Sequence, residues 1–151
     1  MDAKSVAKLV IELPHFIGMF RADELKNVKI ISLPISLVVF EKNHWSSIII
    51  DSESVQIMDS AGLLPTEELN EHFKSFICNN LYGKDLLATP QLQPDNSEAC
   101  GMYAISFLYY YFIKKNDLVQ FCKYFSTNFK KNDEIIRDIF KEVLRVKVIL
   151  T

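Results

Sequence analysis

The sequence is poor in the residues that mark a metal site or a disulfide-stapled fold. It has three cysteines, Cys78, Cys100 and Cys122, with no C-x-x-C pair among them. No disulfide framework or zinc site is expected, and a reducing compartment is. Four glycines and five prolines interrupt 151 residues, 49% of them hydrophobic. That excludes a disordered or low-complexity chain and predicts one compact domain over residues 1–151. No apolar run reaches the about 18 residues of a membrane span. Met1–Leu13, amphipathic and carrying Asp2 and Lys4, does not read as a signal peptide. Charge of one sign is also lacking. The net charge is −2, which does not support nucleic-acid binding. Lys and Arg gather in the last quarter, interleaved with Asp133, Glu134, Asp138 and Glu142, as on a solvated helix face.

What is present is a regular alternation of apolar patterns. Residues 3–12 have helical spacing, closed by Pro14. Phe16–Phe20 is an apolar segment that would pack its aromatics on the core. Val28–Leu33 and Ile35–Phe40 are β-rich and split by Pro34, so they form two strands or one bent strand. Trp45–Ile50 and Ser54–Met58 are the clearest strands, joined by a tight turn at Asp51-Ser52-Glu53. Ser60-Ala61-Gly62 ends that hairpin. Pro65-Thr66 opens a helix running through 67–80, with Leu69, Phe73, Phe76 and Ile77 on one face. Leu86–Ala88 is a short strand leading into a loop over 89–98. Helices follow at 99–113, 117–126 and 132–146. The last is expected to turn Ile135, Ile136, Ile139, Phe140, Val143 and Leu144 inward, with Asn132-Asp133 as its cap. The fold class is α+β, a small mixed, mostly antiparallel sheet packed on a central helix.

That central helix is the stretch that carries chemistry. A polar loop containing Pro94 runs into Cys100-Gly101, and Asn96 or Ser97 offers a side-chain oxygen to cap the helix. Cys100 then stands at a helix N-terminus, whose partial positive charge favours thiolate. Gly101 leaves room for a substrate backbone beside the sulfur. An average cysteine is a small core hydrophobe, as Cys78 and Cys122 are expected to be on their helices. Cys100 differs in having a loop before it and a histidine to serve it.

A nucleophilic cysteine needs a base and a group that orients the base. His15 follows Pro14, and His72 lies on an amphipathic helix among charges; both read as structural or surface residues. His44 stands at the mouth of a strand, beside the only tryptophan, where a side chain is held rigidly yet opens into a cleft. Asp51 lies roughly 23 Å along the same strand at about 3.3 Å per residue, too far to reach His44. Asp59 returns down the other arm of the hairpin, so it can accept from the imidazole and stabilise imidazolium. The oxyanion of a tetrahedral intermediate needs donors. The Cys100 N–H is one, and Gln93 or Gln91 would supply the second; spacing does not choose between them.

Taken together, these residues resemble the adenovirus-type cysteine proteases and their clan, which includes the proteases of ubiquitin-like modifiers. The resemblance lies in His44-Trp45, in Asp59-Ser60-x-Gly62 and in Gln93-Pro-Asp-Asn96-Ser97-Glu-Ala99-Cys100-Gly101. It covers about residues 15–113, its leading part being Phe16-Ile17-Gly18 through Asp23-Glu24-Leu25. It implies a papain-like, adenain-like fold with Cys100 as nucleophile, His44 as base, Asp59 as orienting acid and Gln93, rather than Gln91, as oxyanion glutamine. Trp45 would wall a narrow slot for small residues. The Asn96-Ser97 loop implies a viral or virus-like-transposon member, of the virophage or Polinton kind.

The expected activity is therefore that of a cysteine endopeptidase maturing viral capsid precursor proteins at Gly-containing sites. It would act as a monomer in the virion and the host-cell cytoplasm or nucleus. Adenoviral relatives use DNA and a disulfide-linked peptide as activators. The mild acidity here, and the lack of a cysteine where that link would form, imply neither, and no cofactor is expected. The alternative is processing of ubiquitin-like modifiers, although 151 residues leave little room for the broad docking surface such enzymes carry. A protease-like scaffold without activity is a third reading, disfavoured by the intact His, Asp, Gln and Cys set.

Overall fold

The computed structural model describes residues 1–64 and 69–150, the last three by their backbone only. Its architecture follows from one tight hairpin. β2 (Ile35–Glu41) and β3 (His44–Ile50) are antiparallel, with Glu41 directly opposite His44. Only Lys42 and Asn43 connect them, at φ 50° and 61°. Two successive positive φ values make the type I′ turn that matches strand twist, and asparagine tolerates that region. The turn therefore pins His44 at the first position of β3. β4 (Ser54–Met58) returns antiparallel to β3, with Met58 opposite Ser47.

Two parallel edge strands complete a sheet of order β1-β2-β3-β4-β5: β1 (Phe16–Arg21) beside β2 and β5 (Asp85–Ala88) beside β4. The sheet is mixed, as expected, but the apolar segment 16–20 is a strand rather than a packing segment. It pairs in parallel with β2, whereas Val28–Leu33 was expected to be a strand, either separate from Ile35–Phe40 or continuous with it through a bend at Pro34. Those residues pair with no strand: a 3-10 turn over Ala22–Asn27 leads into open chain, and Ile31 is 96% exposed.

Each sheet face carries its own core. On one side Leu37, Val39, Ile48, Val55 and Ile57 pack against Phe73, Phe76 and Ile77 of α2 (Glu71–Asn80). Asn70 Oδ1 caps α2 by accepting from the His72 N–H. The expected start at Pro65-Thr66, with residues 67 and 68, lies outside the described residues. Cys78 is exposed rather than core, because it falls on the far side of the Phe73–Phe76–Ile77 stripe.

On the other face lies α3 (Cys100–Ile113), buried from Cys100 to Tyr110 with Met102 partly so. It is flanked by α1 (Ala3–Val10), α4 (Leu118–Cys122) and α5 (Phe129–Leu150). Three boundaries differ from expectation. Neither Asn96 nor Ser97 caps α3, which starts after Ala99 without a side-chain cap; Ser97 Oγ accepts instead from the Ala99 N–H. α4 stops at Cys122, because the Asn132 side chain takes up both the N–H and the C=O of Ser126. Asn132 and Asp133 therefore lie inside α5, and Asn128 Oδ1 accepts from the Lys131 N–H at its start. Of the expected inward residues on α5, Ile136, Ile139, Phe140 and Val143 are buried, while Leu144 is 42% exposed.

Candidate active site

Cys100 is the first residue of α3, so its sulfur sits where the helix N–H groups have no partner within the helix. One contact fixes its height against the sheet. Ser47, three residues along β3 from His44, donates Oγ–H to the carbonyl of Ala104, one turn after Cys100, at 2.9 Å. The Trp45 backbone N–H in turn points at Cys100 Sγ, at 3.5 Å.

His44 faces two partners. Its Nε2 lies 2.6 Å from Asp59 Oδ1, and its ring lies near enough to Cys100 for the two to shift each other's pKa. With Nε2 taken by the carboxylate, Nδ1 is left for the thiol. The imidazole is 20% exposed and the carboxylate 3%, so the base meets solvent and substrate while the acid does not. Asp59 is held in its turn: Oδ1 accepts from the Ala61 N–H and Oδ2 from the Leu63 N–H.

The electrostatics follow from these contacts. Burial alone would lower the His44 pKa, but the bonds to Asp59 and Cys100 and their negative charge raise it to about 9. Burial alone would raise the Cys100 pKa. The His44 bond, the Trp45 N–H, the imidazolium charge and the Gly101 N–H outweigh it and hold the thiol below its usual range. A thiol pKa lowered beside an imidazole pKa raised favours transfer of the thiol proton to the ring, the state a cysteine nucleophile requires.

Gln93 comes to the same region by a zipper between the end of β4 and the loop after β5. Thr89 exchanges two hydrogen bonds with the backbone of Asp59. The Leu92 and Gln93 N–H groups both donate to the Ser60 carbonyl, at 2.8 and 3.1 Å. Gly62, at φ 68°, permits this approach: a Cβ there would stand 2.4 Å from the Gln91 nitrogen. The Gln93 side chain is buried, with Oε1 2.5 Å from Ser60 Oγ and Nε2 3.4 Å from the Ser97 carbonyl. Gln91, the other candidate, turns away and donates to the Gln93 carbonyl and to Asp95 Oδ1.

Trp45 is buried and stacks on Phe40, ring centroids 4.4 Å apart. A Cβ on Gly101 would stand 3.5 Å from Trp45 Cδ1 and 3.4 Å from Met1 Sδ. Trp45 Nε1 donates to the Met1 carbonyl at 3.1 Å. The two residues expected to bound a substrate slot thus lie within van der Waals reach of one another, and Met1 packs against both. His15 and His72 lie exposed and apart from this cluster. No group of three or more His, Cys, Asp or Glu able to hold a metal occurs among the described residues. Sequence reasoning missed Ser60, Thr89 and the Asn132–Asp133 pair as supports of the site. Ser60 stood inside the Asp59-Ser60-x-Gly62 pattern, whereas no local signal marks Asn132 or Asp133 as partners of a loop 40 residues upstream of Asn132.

A family model described as the Ulp1 protease family, C-terminal catalytic domain, matches residues 16–140. Among solved structures, the chain is similar to the central domain of the uncharacterized Lpg1148 protein from Legionella pneumophila. That match has a TM-score of 0.56 at 11% identity and covers 98% of this chain and 97% of the other. A SUMO protease Ulp1 with its catalytic cysteine oxidized to a sulfinic acid matches at TM-score 0.44 and 15% identity, over 94% of this chain and 74% of the other. A de-sumoylating protease matches at 0.42 and 17%, over 98% and 70%. No curated protein sequence matches.

Proposed function

The chain belongs to the Ulp1 protease family, a family of cysteine proteases, and from that premise we propose that it hydrolyses peptide bonds through Cys100, His44, Asp59 and Gln93. One observation carries the assignment: the chain of contacts from Cys100 through the His44 ring to a buried Asp59. The Cys100 thiolate attacks the scissile carbonyl carbon, and the carbonyl electron pair moves to oxygen. The Cys100 N–H and Gln93 Nε2 receive that oxyanion. The C–N bond then breaks and the imidazolium gives its proton to the leaving nitrogen. A thioester remains. His44 next takes a proton from water as the water oxygen attacks, and collapse releases the carboxylic acid and the thiolate. Asp59 keeps Nε2 paired throughout and supports the positive ring.

Trp45 and the side-chain-free Gly101 beside Cys100 favour substrate residues with little or no side chain, which supports Gly at or next to the cleaved bond. The substrates we propose are viral capsid precursors, on the Gln93–Gly101 loop pattern shared with adenovirus-type enzymes. The setting would then be the virion and the host-cell cytoplasm or nucleus. The tail of a ubiquitin-like modifier is the second reading, favoured by membership of the family that carries the name of Ulp1. Incubation with capsid precursors and, separately, with ubiquitin-like vinyl-sulfone probes distinguishes them. Specific cleavage of a precursor, abolished by Cys100→Ala with the fold intact, supports the first. Adduct formation with a modifier probe and no precursor cleavage supports the second, and retained cleavage by Cys100→Ala rejects the nucleophile.

A further inference from the structure

We infer that Ser60, directly, and Asp133, through Ser97, are positioning residues for the Gln93 carboxamide, so that its N–H end faces the oxyanion. This rests on the reading of Gln93 as the oxyanion donor. A carboxamide has an acceptor end and a donor end of nearly equal shape. Only the donor end stabilises an oxyanion; the oxygen end, turned toward the sulfur, would repel it. Shape alone does not choose between the two orientations, so neighbouring groups must.

The choice is made at the nitrogen end and held at the oxygen end. At the nitrogen end, Nε2 faces the Ser97 carbonyl at 3.4 Å. A carbonyl only accepts, so the flipped amide would set oxygen against oxygen there. At the oxygen end, Ser60 Oγ–H donates to Oε1 at 2.5 Å, with Ser60 1% exposed. No water competes for an acceptor buried so deeply. The long Ser97 contact leaves Nε2 free to swing its second hydrogen to a developing charge.

Ser97 can direct the amide only if it stays in place, and α5 holds it. Ser97 Oγ donates to Asp133 Oδ2 at 2.6 Å, and the same carboxylate accepts from the buried Tyr103 hydroxyl at 3.2 Å. One residue away, fully buried Asn132 donates Nδ2–H to the Leu92 carbonyl at 2.9 Å. The first turns of α5 thus grip the loop on both sides of Gln93. None of these groups makes a described hydrogen bond with His44 or Cys100, so the device acts on the oxyanion and not on the nucleophile.

That separation supplies the test. Steady-state hydrolysis of a Gly-Gly aminocoumarin amide would be measured beside alkylation of Cys100 by iodoacetamide near pH 6, a displacement that develops no oxyanion. For Ser60→Ala we expect kcat to fall about tenfold or more, a fraction of the effect of losing an oxyanion donor outright. KM and the alkylation rate stay unchanged, and Ser60→Thr, which keeps the hydroxyl, restores turnover. Asp133→Asn, which leaves a single acceptor for two hydroxyls, lowers kcat in the same selective way. Alkylation falling in step with turnover would mean a general loss of the site and overturn the proposal. So would unchanged turnover in Ser60→Ala while Gln93→Ala loses it. Unchanged turnover in Gln93→Ala itself would instead remove the oxyanion reading beneath it.

Discussion

His44 Nε2 and Asp59 Oδ1 lie 2.6 Å apart, joining the first residue of β3 to the residue just past β4. This bond crosses the hairpin at the end where α3 begins. It commits Nε2 to the carboxylate and leaves Nδ1 for the thiol. A partly exposed imidazole between a buried acid and a sulfur is a proton carrier whose charge is set from both sides.

The pH dependence follows from that charge. His44 holds its proton up to about 9, and Cys100 loses its own below the usual thiol range. The thiolate–imidazolium pair therefore exists between those limits. Turnover, which needs the imidazolium proton for the leaving amine, should rise on the acid side with Cys100 ionisation and fall through about 9. Asp59→Asn removes the larger of the two bonds that raise the ring. The alkaline limb should move toward neutrality, and turnover near pH 7.5 should drop by about 10²-fold, the scale of general acid–base catalysis. The check is kcat/KM recorded across pH; an unmoved alkaline limb would exclude Asp59 as the orienting partner.

Thiol selectivity is the second consequence. Cys122 is half-buried, and burial followed by the Asp117 charge pushes its pKa up to about 11. Cys78 is exposed, but no hydrogen bond to its sulfur occurs among the described residues. With iodoacetamide near pH 6, Cys100 should be modified stoichiometrically before either of the others. Peptide mass mapping over time reads this directly. Equal, slow labelling of all three would favour an inactive scaffold.

The parts of this molecule legible in the sequence are those where local chemistry and periodicity agree. The hairpin over 45–58 and the Phe73–Phe76–Ile77 stripe are local patterns. Asp59 could be placed near His44 because strand register converts sequence separation into distance. Val28–Leu33 misled because β propensity describes a segment's fitness for a ladder, not whether a place is vacant, and the edge beside β2 is taken by β1. Asn132 resembled a helix cap because its side chain does bond backbone, but the backbone it bonds belongs to Ser126 and Leu92. Spacing could not separate Gln91 from Gln93; in three dimensions the Gln93 side chain is buried against the Ser60 hydroxyl, whereas Gln91 turns to Asp95.

Met1 gives a third prediction. Its carbonyl accepts from Trp45 Nε1, and its side chain stands over Gly101. Deleting Met1 removes both contacts and leaves Asp2, whose Oδ1 accepts from the Ser5 N–H at the start of α1. A hydrogen bond worth about 1 kcal/mol corresponds to a several-fold change in a rate that must break it. Reaction of Cys100 with a Gly-Gly vinyl sulfone, whose backbone would displace Met1 from beside Trp45 and Gly101, should quicken by that much. Iodoacetamide, small enough to pass, should gain less. Equal gains for both reagents would show that Met1 does not lie on the path of the peptide.

The last prediction separates the two aspartates of the hairpin. Asp51 Oδ1 accepts from the Glu53 N–H, the Ser54 N–H and the Ser54 hydroxyl, and Oδ2 accepts from the Tyr111 hydroxyl at 2.9 Å. Burial would raise its pKa, but these donors outweigh it and hold the carboxyl below 3.8. A carboxylate with a depressed native pKa stabilises fully above its unfolded value, near 4, and loses that contribution as pH falls through the lower native value. Asp51→Ala should therefore cost about 2–3 kcal/mol at neutral pH, and the gap from the parent protein should close toward acid. Urea midpoints at several pH values measure it. The site at the other end of β3 should keep its iodoacetamide reactivity and its turnover, because no bond of Asp51 reaches His44 or Cys100. A variant that loses reactivity while its midpoint stays put would contradict this division, in which Asp51 closes the hairpin and Asp59 serves the imidazole.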